Sequence, residues 1–78
     1  MAPTDALHRS FGRALRESRT RAGLSQEQLA HASELTRNYV SDLELGKKSP
    51  SLRTIARLAK VLGVRPHELV RAADSPSA

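Results

Sequence analysis

Apolar residues recur along this chain at three- and four-residue spacings, and the pattern restarts after Gly residues and after short Ser/Thr-containing breaks. Leu7, Phe11, Ala14, Leu15, Ser18 and Ala22 form one stripe. They predict a first helix that starts at Thr4 or Asp5 and runs to about Ala22, with Arg9, Arg13, Arg16 and Glu17 largely off the stripe. Gly23 ends it and Leu24 tucks under it. Ser25 and Gln28 have the spacing of a capping box and open a second helix over about 25–32, with Leu29 and Ala30 facing inward. The pattern breaks at Ser33-Glu34-Leu35 and starts again at Thr36. A third helix over about 36–45 places Val40 and Leu43 on one face, and Gly46 closes it. After the loop Gly46-Lys47-Lys48-Ser49-Pro50, Ser51 caps a fourth helix over about 51–62, with Leu52, Ile55, Leu58, Ala59 and Leu62 inward. Gly63 stops it and Val64 returns to the core. Pro66 suits the first turn of a short fifth helix over about 66–72, with Leu69 buried. No stretch alternates as a strand would, so the predicted fold is all-α. Residues 1–5 read as a disordered N-terminus, 6–72 as the folded domain, and the small polar 73–78 as a disordered tail.

Composition narrows the function classes. A chain of 78 residues forms one domain with a small core, and it has no cysteine to staple it or to point to an oxidising compartment. No apolar run is long enough to span a membrane, and MAPTDALHRS lacks the order of a signal peptide, so a cytoplasmic location is expected. Thirteen Lys/Arg against eight Asp/Glu give a net charge of +5, which favours a polyanionic partner, nucleic acid first. Only Phe11 and Tyr39 are aromatic, too few for a surface that stacks single-stranded bases. His8, His31 and His67 share no metal-ligand spacing. Glu27 and His31, four apart, read as a solvated helix pair. There is no Gly-rich phosphate loop, and nothing sets a nucleophile beside a base. No cofactor, metal or catalytic activity is expected.

The second and third helices with their tight connection, residues 25–45, make a helix-turn-helix whose second member has the size to enter a DNA major groove. Arg-x-x-x-Gly-Leu-Ser-Gln (Arg19 to Gln26), Leu29-Ala30, Tyr39-Val40-Ser41, Glu44-x-Gly46, Pro50 and the run from Ser51-Leu52 to Leu62-Gly63-Val64 follow in order. In these features the chain resembles the phage repressor/Cro helix-turn-helix family over about residues 7–72. Its size and Arg37-x-Tyr39-Val40-Ser41 make it similar to short stand-alone regulators, among them the controller proteins of restriction–modification systems.

The resemblance implies a compact five-helix bundle of the lambda-repressor-like type and a sequence-specific regulator of transcription that binds double-stranded DNA. It places Arg37, Asn38 and Asp42 at base-reading positions: Arg can take both acceptors of guanine, Asn can pair with adenine, and Asp can accept from cytosine. Asp42 has a second reading, in which it holds Arg37 in place or repels wrong sequences. The resemblance also implies backbone contacts from Gln26, Tyr39 and Ser41; Lys47 and Lys48 lie just past Gly46, and Arg53 follows the same loop, where they can neutralise phosphates. Tyr39 can equally be partly buried packing, and Lys47-Lys48 a loop charge pair. Arg19 and Glu44 match a pair that many members use as a salt bridge between the first and third helices. One departure stands out: many members have Gly in the turn where this chain has Glu34, which costs roughly 1–2 kcal/mol if its backbone is left-handed.

Residues 25–46 carry only Arg37 against Glu27, Glu34, Asp42 and Glu44, while the positive charge lies on the flanks. That suits flanks that hold phosphates and one helix that reads bases, although about half of these Arg are expected merely to solvate outward helix faces. A single helix reads few base pairs, so a C2 homodimer on a pseudo-palindromic site is expected. Its interface is predicted on the fifth helix and the end of the fourth: Val61, Val64, His67 and Val70, beside Leu69. The bland alternative is that Val64 and Leu69 complete the core. Repression follows if the site overlaps a promoter, and activation if an exposed face touches RNA polymerase. The rival reading is an antitoxin-like protein that binds a partner protein and autoregulates its operon.

Overall fold

The computed structural model describes the backbone of residues 3–73 and the side chains of residues 6–73. Among the described residues five α-helices follow in order: α1 (Pro3–Arg21), α2 (Gln26–Ser33), α3 (Arg37–Glu44), α4 (Leu52–Leu62) and α5 (Pro66–Ala73). There is no strand among the described residues, in line with the absence of alternation in the sequence.

Local chemistry sets the helix starts. Ser25 Oγ accepts from the Gln28 N–H at 3.0 Å and the Ser25 N–H donates to Gln28 Oε1 at 2.8 Å, which completes the capping box. Thr36 Oγ1 accepts from the Tyr39 N–H at 3.1 Å, and Ser51 Oγ from the Thr54 N–H at 3.1 Å. Each of these caps satisfies an N–H that the helix itself leaves without a partner.

Leu15, Leu29, Val40, Leu43 and Leu58 are the largest fully buried side chains, joined in one core by Phe11, Ala30, Ile55, Ala59, Leu69 and Ala73. α1 packs against both α3 and α5, and α2 bridges α3 and α4. Several sequence expectations shift here. The first helix begins at Pro3, inside the stretch that reads as disordered, since a proline's missing N–H is no loss at a first helical position. Ala73, which reads as part of the tail, is the buried last residue of α5. Residues 1–2 and 74–78 lie outside the described residues. Leu52, whose spacing points it inward, is 84% exposed. It is the first residue of α4, and its helical direction alone does not supply a neighbour at that end of the helix. Leu7, near the start of α1, is also exposed, and so is Ala22.

α1 and α3 approach closely at two glycines. A Cβ built on Gly12 would lie 2.4 Å from the Glu44 carbonyl oxygen and 2.5 Å from that of Leu43. Gly46, at φ +76°, sits against Arg9, with a Cβ there meeting the Arg9 Cα at 2.9 Å. Both contacts involve backbone, so a larger residue at Gly12 or Gly46 would push α3 off α1.

Candidate nucleic-acid interface

α3 is the element around which the site is built. Its eight residues span about 12 Å at 1.5 Å per residue, comparable with the width of a major groove. Arg37 and Asn38 open the helix and are exposed. Val40 and Leu43 are fully buried and fix which face turns outward. Tyr39, Ser41 and Asp42 are half-buried, and Tyr39 packs partly against the core, in keeping with its bland reading. Lys47, Lys48 and Arg53 follow on the loop and on the first turn of α4, all exposed.

A part-buried polar network holds α3 from behind. Arg19 Nε donates to Glu44 Oε2 at 2.6 Å and Arg19 Nη2 to Glu44 Oε1 at 3.1 Å, a two-pronged bridge between α1 and α3. The Arg19 and Glu44 side chains are 14% and 4% exposed. Arg19 Nη1 also donates to the Leu24 carbonyl at 2.8 Å. Gln26 Nε2 completes the network with a 3.0 Å bond to Glu44 Oε1. The resemblance assigns the Gln26 amide to a phosphate; in the structure one amide hydrogen is committed to the scaffold. The cause is position: as the first residue of α2, Gln26 lies within reach of the last residue of α3.

The turn between α2 and α3 is left-handed at Glu34, with φ 61° and ψ 38°. Glu34 is the only non-glycine residue with positive φ among the described residues. Its N–H bonds back to the carbonyls of Ala30 and His31, so the turn keeps the geometry that glycine would adopt more easily.

The alternative in which Asp42 holds Arg37 is not what the structure contains: Asp42 Oδ2 lies 3.4 Å from Lys48 Nζ. Lys48 Nζ also lies 5.9 Å from the centroid of the Tyr39 ring, so this lysine is already engaged at both the carboxylate and the ring. Of the predicted interface residues, Val61 and Val64 are half-buried against the core, which is the bland reading for Val64; His67 and Val70 stand exposed. Among the described residues the large apolar side chains left exposed are Leu7, Leu45, Leu52 and Val70. Leu7 and Val70 border a groove that Phe11 and Ile55 also line.

Sequence reasoning missed Gly12, whose signal was a glycine inside an otherwise regular helical stripe. It also missed the joining of Gln26 to the Arg19–Glu44 pair. Among the described residues no group of three or more His, Cys, Asp or Glu could hold a metal ion, and no helix is long and apolar enough to cross a membrane.

The helix-turn-helix family model matches residues 15–69. The control protein C.BamHI of Bacillus amyloliquefaciens is 38% identical over 68 residues, covering 86% of this chain and 84% of that protein. Among solved structures, the restriction-modification controller protein C.AhdI from Aeromonas hydrophila has a TM-score of 0.77 at 49% identity, over 78% of this chain and 92% of that one. The clp gene regulator ClgR from C. glutamicum has a TM-score of 0.85 at 32% identity, over 92% of both chains.

Proposed function

Because the chain belongs to the helix-turn-helix family of DNA-binding transcription regulators, we propose that it works as a cytoplasmic homodimer that sets α3 of each copy into the major groove of a pseudo-palindromic duplex site. The observation that carries this reading is α3 itself. Its outward start offers Arg37 and Asn38, and its far end is clamped by the Arg19–Glu44–Gln26 network. Side chains read base edges only when their helix is held in register, and the network supplies that rigidity.

Arg37 takes guanine and Asn38 adenine, while Lys47 and Arg53, on the loop after α3 and the first turn of α4, hold phosphates. One copy carries a single α3 and so fills one major groove, and two copies are needed to fill successive grooves about 34 Å apart. Exposed apolar surface at Val70, on the groove it borders with Leu7, supports an interface that includes α5. In this reading the chain carries no catalytic step, and it represses where its site overlaps a promoter or activates where an exposed face meets RNA polymerase.

The test is selection of a random duplex pool on the purified protein at near-physiological salt, followed by sequencing of what is retained. An enriched inverted repeat supports the dimeric reader, and its half-site spacing reports the distance between the two copies of α3. Retention with no enriched motif refutes sequence reading and leaves only a basic surface.

A further inference from the structure

We propose that Lys48 is a positioning residue for base reading: it holds the Asp42 carboxylate at the groove-facing surface of α3 and does not itself contact a phosphate. The inference rests on the reading that α3 enters the major groove. Asn38 and Asp42 are four residues apart on that helix and so share a face, one turn separating them. A carboxylate at that place can accept from the amino group of cytosine, but it also brings negative charge among phosphates. A cation beside it removes that repulsion and fixes its rotamer.

Lys48 is placed for this work. Its ammonium lies 3.4 Å from Asp42 Oδ2 and 5.9 Å from the Tyr39 ring centroid, so the carboxylate and the ring hold it between them. The loop that carries it is set by backbone contacts and not by the ion pair alone. The Lys47 N–H donates to the Asp42 carbonyl at 2.9 Å, the Gly46 N–H to the Leu43 carbonyl at 3.2 Å, and Gly46 is pressed against Arg9. The chain therefore folds back over the last turn of α3 and delivers Lys48 to Asp42. The side chains are 58% and 30% exposed respectively, enough for the carboxylate to meet a base edge while remaining paired. Lys47, one residue earlier, is exposed and has no side-chain partner among the described residues, which makes it the natural phosphate contact of the two.

A double-mutant cycle on the duplex enriched from the random pool distinguishes the two roles. The variants are Lys48→Met, which removes the charge and keeps a side chain of similar length, Asp42→Asn, and both together; unchanged melting temperatures establish that each is folded. Affinity is measured against the enriched duplex and its single base-pair variants, at several salt concentrations. Lys48→Met is expected to weaken binding about tenfold in the native background and under about threefold beside Asp42→Asn. It should also relax discrimination at the same base pair that Asp42→Asn relaxes, and leave the salt slope unchanged. Equal losses in both backgrounds, with a slope flatter by about 0.9, would make Lys48 an independent phosphate contact and overturn the proposal. No loss in either background overturns it as well. A pool that enriches no motif sinks the groove reading itself, and the proposal with it.

Discussion

Replacing Glu44 by Gln removes one charge and almost no volume, yet it should be among the most damaging single changes in this chain. The Glu44 carboxylate accepts three side-chain hydrogen bonds, from Arg19 Nε at 2.6 Å, Arg19 Nη2 at 3.1 Å and Gln26 Nε2 at 3.0 Å. An amide has one oxygen, so at least one of those donors would face another donor, and the Arg19 guanidinium would lose its counter-charge while only 14% exposed. Breaking one side of a buried pair costs about 3–5 kcal/mol. The residual exposure of Arg19 puts this case at the lower end, on the order of 3 kcal/mol. A domain of this length has roughly 4–12 kcal/mol in all, at about 0.05–0.15 kcal/mol per residue. The melting temperature should therefore fall by roughly 12–24 °C, at about 4–8 °C per kcal/mol. Thermal and urea unfolding followed by circular dichroism would measure it, with an unchanged urea slope if only stability has moved. The cycle with Arg19→Met and Glu44→Leu adds a second check. The double variant should lose less than the sum of the two singles, by about 1–3 kcal/mol, because no charge remains buried alone. Some loss should persist, since Arg19 also donates to the Leu24 carbonyl. A melting temperature within about 4 °C of the native value for Glu44→Gln, or strict additivity in the cycle, would refute the assignment of this network as the clamp on α3.

Three further outcomes follow from the geometry. Glu34→Gly should stabilise the fold by about 0.5–1 kcal/mol in urea unfolding, since relief of roughly 1–2 kcal/mol of left-handed strain exceeds glycine's extra chain entropy of about 0.5–1 kcal/mol; a destabilised variant would show that the turn at φ 61° is not strained. Gly12→Ala should destabilise by about 1–3 kcal/mol or more, because its Cβ meets the backbone of α3, and it should weaken DNA binding with little change in helix content by circular dichroism; native stability and affinity would mean that α1 and α3 separate freely. Arg37→Ala should lose about 1–3 kcal/mol of discrimination at one base pair, whereas Lys47→Ala should weaken all sequences alike and flatten the salt slope by about 0.9; a uniform loss for Arg37→Ala would remove it from base reading.

The features legible along the chain were local. Ser25, Thr36 and Ser51 announce helix starts because a cap is a bond between residues three apart, and all three caps form. Core residues such as Leu15, Val40 and Leu58 were legible from helical spacing, since periodicity dictates the direction in which a side chain points. The Arg19–Glu44 bridge, 25 residues apart in the chain, was legible only through family resemblance. Tertiary structure decided what direction cannot: which neighbour a side chain meets and how near it comes. Leu52 shares the inward direction of α4 yet stands at an end where it remains exposed. Nothing along the chain shows that the carbonyls of Leu43 and Glu44 in α3 lie where a Cβ on Gly12 would stand. The sequence offers no sign that the loop after α3 brings the Lys48 ammonium to 3.4 Å from the Asp42 carboxylate. Each of these depends on distances between segments that only packing brings together, and spacing along a chain does not encode such distances.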